Sequence, residues 1–110
     1  MENELQYQSQ LIVARNFGLP ELSQGDFEKF RLLLIDKIDD LLNHDFGKLI
    51  WILYRVDVRE SRANQLLAKH ADKPAEVLAD LVIERQIQKM ESRANIKQQT
   101  NDTRDSDLLL

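Results

Sequence analysis

Two histidines with acidic neighbours are the first candidates for chemistry in this chain. His44 and Asp45 are adjacent, and Asp72 follows His70 by two positions. These side chains can bind a catalytic metal ion, but a working site needs three or more ligands converging from separate elements. A simpler interpretation is that Asp45 caps the start of one helix while His44 lies near the end of the helix before it. We therefore predict no metal site and no cofactor.

Carboxylates spaced four residues apart are the second candidate, at Glu76, Asp80 and Glu84. They share one face of a predicted helix, and paired carboxylates can carry out acid–base chemistry or bind a hard cation. Basic residues stand close to them in the sequence, however, and this pattern is more typical of a solvated helix face. With three glycines and no cysteine, the chain also lacks the residues for a glycine-rich phosphate loop or a thiol nucleophile. We predict that the protein is not an enzyme.

A cluster of basic residues is the third candidate. Its members are Arg55, Arg59, Arg62 and Lys69. Between positions 55 and 70 these four face two acidic residues, which leaves a local excess of +2. Such side chains contact phosphates and base edges, and a short helix between two others could form part of a helix-turn-helix. The whole chain carries a net charge of −4, which repels phosphate backbones. Nucleic-acid binding is therefore the alternative function and the less favoured one.

The composition limits the fold that could position these residues. The 110 residues, 43% hydrophobic and 31% charged, suit one small globular domain. Three glycines and two prolines are too few for the turns of a multi-stranded β protein. The longest apolar run, from Leu49 to Tyr54, is far shorter than the roughly 20 residues of a membrane span, and the acidic start is unlike a secretory signal. We predict a cytoplasmic protein with no membrane partner.

The spacing of apolar residues predicts an all-α fold, a small bundle of about four helices. The predicted helices lie near residues 26–43, 45–56, 59–70 and 74–93. Residues 1–25 are predicted to form a flexible N-terminal arm that can contain a short helix from Leu5 to Phe17. Residues 94–110 are predicted to form a disordered polar tail.

The second predicted helix is the most apolar segment of the chain and contains Trp51 and Tyr54. Its β-branched and aromatic residues would also suit a buried strand. We favour a helix because Asp45 can cap it and because no second strand of similar quality is present to pair with it. In either case we expect the segment to be buried. We predict that Trp51 and Tyr54 are core residues and do not stack on a nucleic-acid base or another ligand.

Two stretches of the sequence resemble a known family. They are residues 43–58 (NHDFGKLIWILYRVDV) and residues 75–87 (AEVLADLVIERQI). Over roughly residues 30–90, the chain resembles a family of small uncharacterised bacterial proteins. The resemblance implies a bacterial cytosolic origin and a helical fold, and it implies no activity.

Surplus apolar side chains indicate the function we favour. Leu32, Leu33 and Ile35 on the first predicted helix, and Ile83 on the last, widen the apolar surface beyond one stripe. Helices that are apolar on more than one side need cover on more than one side, which a bundle of under about 80 residues cannot easily provide. We predict a small protein-interaction module that self-associates through these residues, with a dimer favoured and a different protein partner as the close alternative.

Overall fold

A computed structural model describes the backbone of residues 4–108 and the side chains of residues 4–94. Every regular element in this part of the chain is an α-helix. The helices are α1 (Glu4–Phe17), α2 (Phe27–His44), α3 (Phe46–Val56), α4 (Glu60–Lys69) and α5 (Pro74–Leu108). The predicted all-α class is confirmed, and the predicted count of about four helices is corrected to five. None of the described helices is long and apolar enough to cross a membrane.

Local sequence signals set several of the helix ends. The Asp45 carboxylate accepts a hydrogen bond of 3.2 Å from the Lys48 backbone N–H, so Asp45 caps α3 as predicted. Gly18 follows α1 with a φ of +69°, a left-handed conformation that glycine adopts without strain. Pro74 begins α5, where its missing N–H leaves no helical hydrogen bond unmade.

Helix α1 corrects the prediction of a flexible N-terminal arm. It packs against α5 and α2, and its residues Val13, Ala14 and Phe17 are buried in the common core. Buried polar contacts strengthen this docking. The Gln10 side-chain amide donates hydrogen bonds to the backbone carbonyls of Leu22 at 3.3 Å and Ser23 at 3.4 Å. Residues 4–17 are therefore an integral layer of the bundle.

Helix α5 lies at the centre, because α1, α2, α3 and α4 all pack against it. This arrangement corrects the role predicted for Ile83. Ile83 is only 7% exposed and belongs to the core of the single chain, so it cannot serve as an interface residue. A helix covered by four neighbours can be apolar on several sides without leaving surplus apolar surface.

The end of α5 also differs from the prediction. Its helical backbone continues past residue 93 to Leu108, and no glycine or proline interrupts the sequence after Pro74. The predicted tail thus begins within helical backbone. The side chains of residues 95–110, and the backbone of Leu109 and Leu110, lie outside the described part of the chain.

Candidate functional site, an apolar groove between α3 and α4

The outer side of α3 carries large apolar side chains that are exposed to solvent. They are Phe46 at 56% exposure, Ile50 at 48%, Trp51 at 57% and Tyr54 at 86%. We call these four residues the α3 apolar face. Positions 46, 50 and 54 are four residues apart, so these three residues lie on one side of the helix. At 100° per residue, Trp51 lies about 60° beyond Tyr54 around the helix axis, at the edge of this face and beside Arg55. The prediction that Trp51 and Tyr54 are core residues is wrong.

The exposure of this face follows from how α3 is covered. In the described part of the chain, α3 packs against α2 and α5. This contact buries Leu49, Ile52 and Val56, which share the opposite side of the helix. An 11-residue helix that is apolar almost all round has one side sealed by the bundle and the other left open.

An apolar groove with a volume of about 340 Å³ runs beside this face, between α3 and α4. We call it the α3–α4 groove. Its apolar lining comprises Leu42, Phe46, Leu49, Ile50, Leu53, Tyr54, Val58, Ala63, Leu67, Pro74 and Leu78. Glu60 and Asn64 add polar groups on the α4 side. Three members of the α3 apolar face therefore also form one wall of the groove.

Helix α4 contributes Glu60, Ala63, Asn64 and Leu67 to the groove lining. Ala63 is the buried residue of α4, and Leu66 and Leu67 are half-buried against the core. At Ala63 a larger side chain would project into the space that the groove occupies. Helix α4 packs against α5 and forms the second wall of the groove, opposite α3.

The end of α3 is held by residues of α5. Asp57 adopts a left-handed conformation with a φ of 68° after α3. Its carboxylate pairs with Arg85 at 2.9 Å, and the Arg85 Nε donates to its backbone carbonyl at 3.0 Å. Lys89 Nζ donates to the carbonyl of Val56 at 3.2 Å. These contacts satisfy the final carbonyls of α3 and place positive charge at its C-terminus, which fixes the α3 wall of the groove.

The Asp57–Arg85 pair predicts how stability varies with pH. The hydrogen bond from Arg85, reinforced by its charge, holds the pKa of Asp57 below its ordinary value of 3.8. The contribution of the pair to stability is therefore present above the ordinary pKa and is lost as the pH falls through the lowered value. At neutral pH, Asp57→Asn is expected to lower the free energy of unfolding, and this deficit should shrink between about pH 5 and pH 2.

Urea denaturation of both proteins at a series of pH values measures this effect. Asparagine tolerates the left-handed conformation at position 57. The variant therefore removes the carboxylate charge without straining the backbone. The same substitution at the exposed Asp72 is the matched control. A deficit that stays constant across the acidic range would contradict the assignment.

The four predicted nucleic-acid contacts do not form a uniform basic surface. Arg62 pairs with Glu84 of α5 at 3.3 Å. The guanidinium carbon of Arg55 lies 5.0 Å from the centroid of the Trp51 ring, in a cation–π contact. Arg59 and Lys69 are exposed. One of the four is therefore paired with an acidic residue of α5, and the nucleic-acid alternative stays a prediction.

His44, Asp45 and Asp80 take part in contacts within the fold. His44 Nδ1 lies 3.1 Å from the Asp40 carboxylate, and Asp45 caps α3, so the two belong to adjacent helix ends. Asp80 forms a two-pronged ion pair with Arg31 that joins α5 to α2, at 2.8 and 3.0 Å. Among the described residues, no group of three or more histidine, aspartate and glutamate side chains could hold a metal ion.

The predicted interface residues are not brought together. Leu32 is 60% exposed on α2, whereas Leu33 and Ile35 are half-buried and Ile83 is buried. The larger exposed apolar surface is the α3 apolar face, which the sequence reasoning assigned to the core. The available signal was the apolar character of residues 46–58 on more than one side, which needs cover that one small bundle does not supply.

Comparison with known proteins finds no matching family model, no matching curated protein and no matching solved structure. The resemblance to a bacterial family therefore stays a prediction.

Proposed function

We propose that this protein is a small cytoplasmic protein-interaction module without catalytic activity, and that the α3–α4 groove together with the α3 apolar face is its docking surface. One observation carries the proposal: Phe46 and Tyr54 are each more than half exposed along an open apolar groove, and Trp51 on the same helix is more than half exposed beside it. Burying apolar surface gains about 25 cal/mol per Å². Contiguous apolar patches on a folded chain mark sites where another molecule provides the cover.

The shape of the surface favours a protein partner over a small molecule. A groove of about 340 Å³ falls within the range of small-ligand sites, roughly 300–1,000 Å³. However, Trp51 is not part of the groove lining, so a small ligand in the groove would leave it uncovered. Only Tyr54, Glu60 and Asn64 offer side-chain polar groups there to fix a ligand's orientation. An amphipathic helix laid along the groove covers both the groove and the adjoining face.

Site-specific photo-crosslinking in the cells that naturally express the protein tests this proposal. A benzophenone amino acid replaces Tyr54, which borders the groove and is 86% exposed. The matched control carries the same group at the exposed Lys29 on α2, about 20 Å along that helix from Leu42 of the groove. We expect a discrete protein adduct from position 54, lost when Ile50→Lys is added, and no such adduct from position 29. Absence of an adduct at position 54, or equal adducts at both positions, would overturn the proposal.

A further inference from the structure

We infer that the occupant of the α3–α4 groove is α3 of a second copy of this chain, in a two-fold symmetric dimer; this inference rests on the proposed docking function of the groove. The argument begins with the double role of α3. Phe46, Ile50 and Tyr54 line the groove, and each remains at least 48% exposed. Their spacing of four residues is also the pattern with which a helix anchors itself in an apolar groove.

Helix α3 lines the groove of its own chain and has the anchor pattern to bind in the groove of another copy. Such a helix suits an interface between identical chains. In a two-fold symmetric contact, the same surface appears on both partners, so each α3 can enter the other copy's groove while lending a wall to its own. One contact of this kind covers two grooves and two apolar faces. A different partner would have to supply its own helix with matching anchors.

The charges beside the groove agree with this arrangement. At 100° per residue, Lys48 lies 200° from Phe46, and Arg55 lies 200° from Leu53, around the α3 axis. Because Phe46 and Leu53 line the groove, the two basic residues belong to the opposite flank of α3. A second α3 that turns its own groove side toward the first α3 therefore presents its basic flank to α4. The groove lining of α4 carries Glu60, so opposite charges meet there.

The available area sets the expected strength of the dimer. A fully exposed aromatic side chain offers about 150–250 Å². At exposures of 56%, 57% and 86%, the three aromatic side chains together offer about 300–500 Å² per copy. A standard stable interface buries about 800 Å² per partner, so this contact lies at or below the lower end of the range, where weak and transient interfaces are found. We therefore expect a weak dimer, with a dissociation constant on the order of tens of micromolar or higher.

Sedimentation equilibrium from about 1 µM to about 500 µM tests the inference directly. The mass should rise with concentration from 12.9 kDa toward twice that value. Tyr54→Lys and Ile50→Lys are each expected to raise the dissociation constant at least about tenfold, because each places a charge among the anchors. Both positions are exposed, so the folded chain tolerates these substitutions, and circular dichroism checks this. Leu32→Lys on α2 is the matched control and should leave the dissociation constant unchanged.

The single tryptophan provides a second measurement at the same surface. Trp51 is the only tryptophan in the sequence, and it is 57% exposed in one copy. Its fluorescence emission should shift to shorter wavelength over the concentration range in which the mass rises, and should not shift in Tyr54→Lys. An association without this shift would place the contact elsewhere on the molecule.

Several outcomes would overturn the inference. One is a mass of 12.9 kDa at every concentration. Another is a dimer that Leu32→Lys dissociates and Tyr54→Lys does not, which would move the interface to α2. A monomeric chain whose position 54 photo-crosslinks to a different protein would remove the second copy as the occupant while leaving the docking function standing. A monomeric chain with no adduct at position 54 would remove both.

Discussion

Phe17→Ala is expected to lower the free energy of unfolding by about 3–5 kcal/mol. Phe17 ends α1, is only 2% exposed and belongs to the core shared by the helices of the bundle. Truncation to alanine removes the transfer free energy of the ring and leaves a cavity that neighbours from other helices can only partly fill. Urea denaturation monitored by circular dichroism, at about 1 µM to keep self-association from contributing, measures the loss.

The same substitution on the surface provides the control. Phe46 is 56% exposed on α3, so Phe46→Ala should cost no more than about 1 kcal/mol in a single copy. If Phe17→Ala costs as little as Phe46→Ala, then α1 does not pack into the bundle, and the N-terminal arm predicted from the sequence is the better description.

The prediction succeeded for the helices whose apolar residues recur at helical spacing. The predicted segments 26–43, 45–56 and 59–70 correspond to α2, α3 and α4 within one residue at each end. In these segments the periodic apolar pattern and the capping residues indicate the same helix boundaries. The Asp45 cap is the clearest case, because a single side chain marks where α3 begins.

Helix α1 was only half predicted because its buried side is not purely apolar. Ser9 and Gln10 are both 1% exposed, so the pattern of buried residues does not appear as an apolar stripe in the sequence. Their partners come from other parts of the fold: Ser9 Oγ donates to Met90 Sδ at 3.1 Å, and Gln10 bonds the carbonyls of the connection between α1 and α2. Such partners are long-range contacts that the spacing of residues does not reveal.

The interaction surface was misplaced for a related reason. A surplus of apolar residues can be read from a sequence, but the side that stays uncovered depends on how the helices pack. Helix α5 is covered by four neighbours, so Ile83 is buried. Helix α3 lies at the edge of the bundle, so Trp51 is exposed although its neighbours in sequence are mostly apolar. Of the residues predicted to add uncovered apolar surface, Leu32 is exposed, at 60%.

Phe30→Ala is expected to have an effect as large as that of Phe17→Ala, about 3–5 kcal/mol of the free energy of unfolding. Phe30 is completely buried at the start of α2, the helix that packs against α1, α3 and α5. A domain of this size has a total stability of about 5–15 kcal/mol. The substitution therefore removes a large share of the total, and the urea midpoint should fall in proportion, with the slope of the transition unchanged.

Two further variants separate loss of packing from other causes. Phe30→Leu keeps most of the buried apolar volume, so it should cost distinctly less than Phe30→Ala, because the cavity left behind is smaller. Phe27 lies one helical turn earlier, with its ring centroid 6.0 Å from that of Phe30, but it is only half-buried. Phe27→Ala should therefore also cost less than Phe30→Ala. Equal losses at positions 27 and 30 would mean that Phe30 is not more deeply buried than Phe27, because burial is the main property in which these two phenylalanines differ.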